Sequence, residues 1–119
     1  MKKLISLFIT ACFYSATMLA QESMTVAFYN VENLFDTEDD SLKNDNEFLP
    51  AATRHWDYHK YRKKLDNLAK VIIAVGNGEI PALVALCEVE NDTVMHHLTN
   101  YSALREANYR YLMTNSKDE

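Results

Sequence analysis

Residues 26–36 read Val-Ala-Phe-Tyr-Asn-Val-Glu-Asn-Leu-Phe-Asp, and the organisation of the chain can be worked out from this stretch. Its apolar residues are typical of a buried β-strand, and polar residues interrupt them near the end of the run. These polar residues are Asn30, Glu32 and Asn33. We therefore expect a strand that presents an amide and a carboxylate close to its C-terminal end.

A second stretch, residues 83–91, repeats this arrangement with the sequence Leu-Val-Ala-Leu-Cys-Glu-Val-Glu-Asn. Its apolar run ends in Glu88, Glu90 and Asn91. Carboxylate and amide oxygens are the ligands that a hard cation such as Mg²⁺ prefers. The two stretches together predict a metal-dependent phosphoesterase.

The composition limits the classes of function that the chain can have. A length of 119 residues allows one domain at most, and a hydrophobic share of 48% is typical of a globular protein. The net charge of −5 argues against a module that coats nucleic acid with Lys and Arg alone. A metalloenzyme remains compatible with this charge because a bound divalent cation supplies local positive charge.

The N-terminus has the pattern of a cleaved signal peptide. Lys2 and Lys3 precede an uncharged segment, residues 4–19, and Ala20 marks the expected cleavage point. We therefore predict a signal peptide over residues 1–20 and export to the periplasm or the extracellular space. A transmembrane anchor is disfavoured because the segment is shorter than the ~20 residues that span a bilayer. A lipoprotein modified at Cys12 is the less favoured alternative, since residues 9–12 resemble a lipobox.

Cleavage after Ala20 would remove Cys12 and leave Cys87 as the one remaining cysteine. An intramolecular disulfide would then be excluded. We expect Cys87 to be a small buried residue of the second strand.

Residues 36–50 are rich in acidic side chains, with Lys43 as the one lysine among them. The acidic spacing resembles a calcium-binding loop, but Ser41 stands where that loop requires glycine. An EF-hand is therefore rejected, and a solvated acidic loop is favoured over an accessory calcium site.

The pattern between the two stretches predicts a strand, a long helix and a second strand. We predict strands over residues 24–31 and 82–89, each with both faces buried, and a helix over residues 57–75 capped by Asp57. The predicted buried stripe of the helix contains Tyr58, Tyr61, Leu65, Leu68 and Ile72, whereas its Lys and Arg residues are expected to face solvent. Parallel strands would place Asn30 and Glu88 at the same sheet edge. Asn30 is equally compatible with a side-chain bond in the site and with a turn.

Beyond the second strand, we predict a helix over residues 91–104 and a third strand over residues 109–113. His96 and His97 are adjacent, so they point in different directions and cannot form a metal-binding pair on one helix face. His55 and His59 straddle the predicted start of the first helix. We therefore expect all four histidines to be surface or packing residues.

Two short motifs carry a resemblance to a known family. Residues 28–32, Phe-Tyr-Asn-Val-Glu, and residues 86–88, Leu-Cys-Glu, resemble the two N-terminal motifs of the endonuclease/exonuclease/phosphatase superfamily. That superfamily includes deoxyribonuclease I, exonuclease III-like repair nucleases, inositol polyphosphate phosphatases and neutral sphingomyelinases. The acidic residues 44–48 and the Arg-His-Trp of residues 54–56 resemble an exported bacterial subgroup. The resemblance implies an α/β fold, of which residues 21–119 would form the N-terminal part of a four-layer sandwich.

The resemblance also implies roles for individual residues. Glu88 matches the family's metal-binding glutamate, and Asn30 matches an asparagine that lies beside the metal and orients the site or the phosphate. Glu32 occupies a position that is often acidic in the repair nucleases, so it joins Glu88 and Asn30 as a candidate metal ligand. The implied cofactor is Mg²⁺, with Mn²⁺ or Ca²⁺ as alternatives. Water would attack the phosphoester, with Asn30 and Glu88 as the catalytic residues within this chain.

The family's general-base histidine and its partner aspartate belong to later motifs, and none of the four histidines matches them. The resemblance therefore predicts an incomplete domain with little activity of its own. An exported nuclease or phosphodiesterase acting on nucleic acid is the favoured hypothesis. A phosphatase or a lipid phosphodiesterase of the same fold is the first alternative, and an exported, non-catalytic binding module is the second. No stable protein partner is implied, nor any transmembrane span after signal cleavage.

Overall fold

A computed structural model describes residues 23–41 and 45–114. The predicted signal peptide and Cys12 therefore lie outside the described residues. The elements are strand β1 (Val26–Leu34), helix α1 (Tyr58–Val75), strand β2 (Leu83–Val89) and helix α2 (Asp92–Asn100), with short 3-10 helices at Asn46–Phe48 and Ala103–Ala107.

The two strands form a parallel pair, and α1 connects them. The register aligns Val26 with Leu83 and continues regularly until Asn30 lies opposite Cys87. Both the predicted strand–helix–strand order and the parallel pairing are confirmed. Part of an α/β fold is therefore present, and the described residues do not display the four layers of a complete sandwich.

Strand β1 continues past the predicted boundary because it contains a bulge. Pairing is interrupted after Asn30 and resumes where Leu34 lies opposite Val89. Three residues of β1 therefore lie opposite the single residue Glu88 of β2. The apolar pattern of the sequence did not indicate that pairing would resume after this bulge. The predicted limits of residues 24–31 were wrong at both ends.

The core lies between α1, α2 and one face of β1. Its largest fully buried side chains are Tyr61, Leu34, Leu65, Ile72, Leu98 and Val94. Tyr58 was wrongly placed on the buried stripe, since its side chain is 64% exposed. It occupies the first turn of the helix, where its ring contacts Tyr61 at a centroid distance of 6.4 Å.

The prediction that both faces of each strand are buried was also wrong for the described part of the chain. Ala27 and Val31 are buried, whereas Val26, Phe28 and Leu83 are 54%, 77% and 58% exposed. The reason is that α1 contributes to the core on the Val31 face, while the side chains of the opposite face remain accessible to solvent.

The start of each helix and the end of α1 at Val75 follow the prediction closely, whereas α2 ends four residues before the predicted limit at residue 104. Asp57 caps α1 by accepting a bond from the Lys60 N–H at 2.8 Å, and Asn91 caps α2 through the Val94 N–H at 2.9 Å. Helix α2 stops at Asn100 because Ser102 begins a new 3-10 turn and accepts the Leu104 N–H.

The predicted strand over residues 109–113 is absent, since these residues have no regular secondary structure. Tyr109 is nevertheless attached to the start of β2, because its hydroxyl donates to the Pro81 carbonyl. Within residues 23–41 and 45–114, every helix is too short or too polar to cross a bilayer.

Candidate functional site

The two predicted site residues meet at the end of the regular strand pairing. The Asn30 side chain donates from Nδ2 to Oε1 of Glu88 at 2.6 Å. This contact follows from the register, because Asn30 lies opposite Cys87 and Glu88 is the next residue along β2. Both side chains are exposed, so the pair is accessible to a ligand.

The bulge of β1 holds the other carboxylate oxygen. The backbone N–H of Asn33 donates to Oε2 of Glu88 at 3.0 Å, while the Glu32 N–H donates to Oδ1 of Asn30 at 2.8 Å. The Glu88 carboxylate is therefore held by one side-chain donor and one backbone donor. These two donors define the orientation of the carboxylate.

Three residues at this point adopt a left-handed backbone conformation. The φ angles are 52° for Glu32, 58° for Asn33 and 63° for Glu88. Non-glycine residues rarely adopt this conformation, and such strain is concentrated at functional sites. Here it turns the Asn33 N–H towards the carboxylate.

Both interpretations of Asn30 that the sequence left open apply. Its amide nitrogen bonds Glu88 across the strands, and its amide oxygen bonds the backbone two residues ahead, as in an Asx turn. Asn30 therefore positions Glu88 and stabilises the bulge at the same time.

Lys64 is a residue of the site that the sequence reasoning missed. Its ammonium group donates to the carbonyl oxygens of Glu32 at 2.6 Å and Asn33 at 3.0 Å. The prediction that the helix lysines simply face solvent was wrong for Lys64, which is half-buried. A signal was present, since Lys64 lies three residues after Tyr61 and four before Leu68, at the border of the buried stripe.

The surroundings of Lys64 have opposite effects on its pKa. Burial lowers its pKa, whereas the carboxylates of Glu32 and Glu88 raise it. Glu32 thus contributes to the site through its backbone and its charge. The described contacts do not include one between its carboxylate and Glu88.

A second polar network lies directly behind this site and joins the ends of the two strands. The Asp36 N–H donates to Oε2 of Glu90 at 2.9 Å, and the Asn91 amide lies 3.4 Å from Oδ2 of Asp36. The prediction of a solvated acidic loop was wrong for Asp36 and Asp45, which are 9% and 1% exposed. Asp45 is buried because its carboxylate accepts the Asp40 N–H at 2.9 Å and organises the loop.

Tyr61 bonds helix α2 and lies close enough to Asp36 and Glu90 to be affected by their charges. Its hydroxyl and Nδ1 of His97 are 2.9 Å apart. Burial raises the pKa of Tyr61, and the charges of Asp36 and Glu90 raise it further, so the hydroxyl keeps its proton. Burial lowers the pKa of His97 below its ordinary value of 6.5, and His96 lowers it further. A neutral His97 therefore accepts the bond from Tyr61.

The titration of His97 predicts a fall in stability on acidification. The unfolded chain binds the proton more tightly than the folded one, so stability decreases as the pH falls below about 6.5. His97→Asn retains an acceptor for Tyr61 but cannot titrate. We expect the urea midpoint of the unchanged protein to fall between pH 8 and pH 5.5 by more than that of His97→Asn. Equal falls in the two proteins would show that His97 is not responsible.

The remaining predicted positions lie apart from the Asn30–Glu88 pair. His55, His59 and His96 are exposed, and His97 is a packing residue, as expected. Cys87 is free and half-buried, so the prediction of a buried residue was only partly right.

The donor set fits a hard cation that keeps most of its water. In the described part of the chain, no three His, Cys, Asp or Glu side chains converge on a common point that could hold a metal. Mg²⁺ requires less than that, because it is usually bound by one or two carboxylates together with water and substrate oxygens. An exposed, oriented Glu88 carboxylate beside Asn30 meets that requirement.

Comparison with known proteins agrees with this geometry. The family model described as "Endonuclease/Exonuclease/phosphatase family" matches residues 25–119, which include both strands and the Asn30–Glu88 pair. Searches of curated proteins and of solved structures returned no match. Because the family model covers most of the chain, we conclude that the protein belongs to the endonuclease/exonuclease/phosphatase family.

Proposed function

We propose that the protein is an Mg²⁺-dependent phosphoester hydrolase, in the first instance an exported endonuclease or phosphodiesterase acting on nucleic acid. The observation that carries this proposal is the 2.6 Å bond between Asn30 and Glu88 at the end of the parallel pairing. Open α/β sheets bind their ligands at the C-terminal ends of the strands, and family members are generally hydrolases.

Each residue has a separate task in this proposal. Glu88 would hold the cation with a carboxylate that is already oriented by Asn30 and the Asn33 N–H. Mg²⁺ bound there would supply stabilisation of negative charge at the phosphorus and orientation of the attacking water. Asn30 acts as a positioning residue towards Glu88, and its bond to the Glu32 N–H keeps its amide from rotating.

Hydrolysis in the presence and absence of metal tests the proposal. We expect the full protein, meaning these residues together with the family's later motifs, to cleave plasmid DNA and bis(4-nitrophenyl) phosphate with Mg²⁺ or Mn²⁺, and EDTA to abolish both activities. Activity against phosphomonoesters alone would favour the phosphatase alternative. Activity against sphingomyelin alone would favour the lipid phosphodiesterase alternative. Binding without hydrolysis of any phosphoester would favour the non-catalytic module. We further propose that residues 1–119 alone have little activity, because none of the four histidines matches the family's general base.

Export is part of the same proposal and has its own test. We infer cleavage after Ala20 from the charge and hydropathy of residues 1–20, with lipidation at Cys12 as the alternative. The intact mass of the mature protein distinguishes the two outcomes. A mature chain that begins at Gln21 supports export as a free protein, a lipid-modified Cys12 supports a lipoprotein, and an uncleaved Met1 contradicts both.

A prediction for Lys64 follows from its two bonds to the bulge. Lys64→Met removes the donor that holds the Glu32 and Asn33 carbonyls, so the Asn33 N–H is no longer fixed against Glu88. Loss of such an outer contact typically reduces metal affinity or activity by about 10-fold or more. We expect this reduction in the rate of hydrolysis, with partial recovery in Lys64→Arg. Lys70→Met, an exposed position of the same helix, is the control, and an equal loss there would contradict the assignment.

A further inference from the structure

A groove lies between α1, Tyr29 of β1 and Trp56, and it borders the candidate site. It has a volume of about 320 Å³, and its lining includes Tyr29, Trp56, Lys60, Lys63, Lys64 and Asn67. Two of these residues connect it to the site, because Tyr29 precedes Asn30 in β1 and Lys64 bonds the bulge. Lys64 also lies close enough to Glu88 for their charges to interact, so the groove adjoins the site.

The charge of the groove is opposite to that of the whole chain. Lys60, Lys63 and Lys64 lie on one face of α1 because residues three and four apart are neighbours on a helix. None of the described residues that line the groove is acidic, although the net charge of the protein is −5. The groove is thus a local positive region suited to an anionic ligand.

The three lysines differ in whether their ammonium groups are already hydrogen-bonded. Lys60 is engaged, because its ammonium group donates to the Arg54 carbonyl at 2.9 Å and the His55 carbonyl at 2.8 Å. Lys64 is bound to the bulge. Lys63 is exposed, and no bond from its ammonium group occurs among the described contacts, so it is the lysine best placed to meet a phosphate.

Aromatic side chains lie beside these cations. Tyr29 is 37% exposed, and Trp56 is half-buried with its indole N–H donating to the Phe35 carbonyl at 3.0 Å. The Lys64 ammonium lies 5.7 Å from the Trp56 ring centroid, which leaves Tyr29 as the more accessible ring. Aromatic rings interleaved with cations are typical of surfaces on which unpaired bases stack.

We propose that this groove binds a single strand of nucleic acid and directs it towards the Asn30–Glu88 pair, an inference that rests on the proposed function. Lys63 contacts a phosphate, and Tyr29 stacks on an unpaired base. The volume is at the lower end of the range for ligand pockets, about 300–1,000 Å³, which suits one nucleotide of a strand rather than a duplex. The chemistry that recognises the partner is therefore a phosphate joined to an exposed base.

Binding of a short fluorescein-labelled oligothymidylate, measured by anisotropy with EDTA present, tests the proposal without hydrolysis. We expect Lys63→Glu in the full protein to weaken binding about threefold or more and to make the salt dependence shallower by about 0.7 in logarithmic slope. Lys70→Glu carries the same charge change outside the groove and should leave binding unchanged. Equal weakening in both variants would overturn the proposal, because it would show a non-specific response to net charge.

A second variant separates a nucleic-acid strand from other polyanions. Tyr29→Leu keeps an apolar side chain but removes the aromatic face, and we expect it to weaken oligothymidylate binding about fivefold or more. The affinity of Tyr29→Leu for inorganic polyphosphate, measured by competition, should be unchanged. Oligothymidylate binding that is as tight in Tyr29→Leu as in the unchanged protein, or tighter binding of a duplex than of the single strand, would overturn the proposal.

A failure of the groove proposal can be distinguished from a failure of the proposed function. Strand binding in EDTA and hydrolysis with Mg²⁺ are separate measurements, because Glu88 is not part of the groove lining. Metal-dependent hydrolysis with unchanged binding in both groove variants would reject the groove alone. Groove-dependent binding without hydrolysis of any phosphodiester would reject the proposed function alone.

Discussion

Replacement of Glu88 by glutamine is expected to reduce Mg²⁺-dependent hydrolysis by about two orders of magnitude or more. The variant loses the negative charge that would hold the cation. It also introduces an amide NH₂ that must face a donor, either Nδ2 of Asn30 or the N–H of Asn33. Steady-state hydrolysis of bis(4-nitrophenyl) phosphate measures the loss of rate. Calorimetric titration measures the loss of affinity for Mg²⁺.

Glu106→Gln is the matched control for this substitution. Its side chain is 79% exposed and pairs with Arg105 on the surface, so the same chemical change should leave metal binding and hydrolysis unaltered. Glu88→Asp retains the charge but shortens the side chain, and it should bind Mg²⁺ more tightly than Glu88→Gln. A Glu88→Gln protein with unchanged Mg²⁺ affinity and rate would eliminate Glu88 as a metal ligand.

Replacement of Leu65 by alanine is expected to lower the free energy of unfolding by about 2–5 kcal/mol. Leu65 has no exposed surface and belongs to the core formed by both helices and β1. Truncation removes buried methyl groups and leaves a cavity that the packed helices can fill only in part. The urea unfolding midpoint of the full protein measures the effect.

Val71→Ala is the control on the same helix, because Val71 is 39% exposed. Its truncation should change the free energy of unfolding by less than about 1 kcal/mol. A loss in Leu65→Ala no larger than in Val71→Ala would contradict the position of the core along α1.

The pairing of Asn30 with Glu88 could be predicted before any coordinates were considered. Each residue lies near the end of an apolar run, and a helix-length segment between the runs favours a parallel crossover. Parallel strands place their C-terminal ends at one edge, so both residues were expected at that edge, and the structure adds the hydrogen bond between them. Local signals also sufficed for the cap at Asp57, because a cap depends on neighbouring backbone groups alone.

The means by which Glu88 is held could not be predicted in the same way. The bulge depends on where pairing resumes between Leu34 and Val89, and that register is a property of two segments more than fifty residues apart. The position of Lys64 has the same origin, since its carbonyl partners exist only once the bulge has formed. The burial of Asp36 likewise depends on Glu90, which lies beyond α1 in the sequence.

The sequence by itself determined the class of fold, the order of its elements and the two side chains that meet at the end of the strands. Periodic apolar patterns and capping residues act over a few positions, so they can be read along the chain. Only the tertiary structure decided the strained bulge, the contribution of Lys64 and the groove beside α1. These features depend on contacts between segments distant in sequence, and such contacts become defined when β1, α1 and β2 pack together.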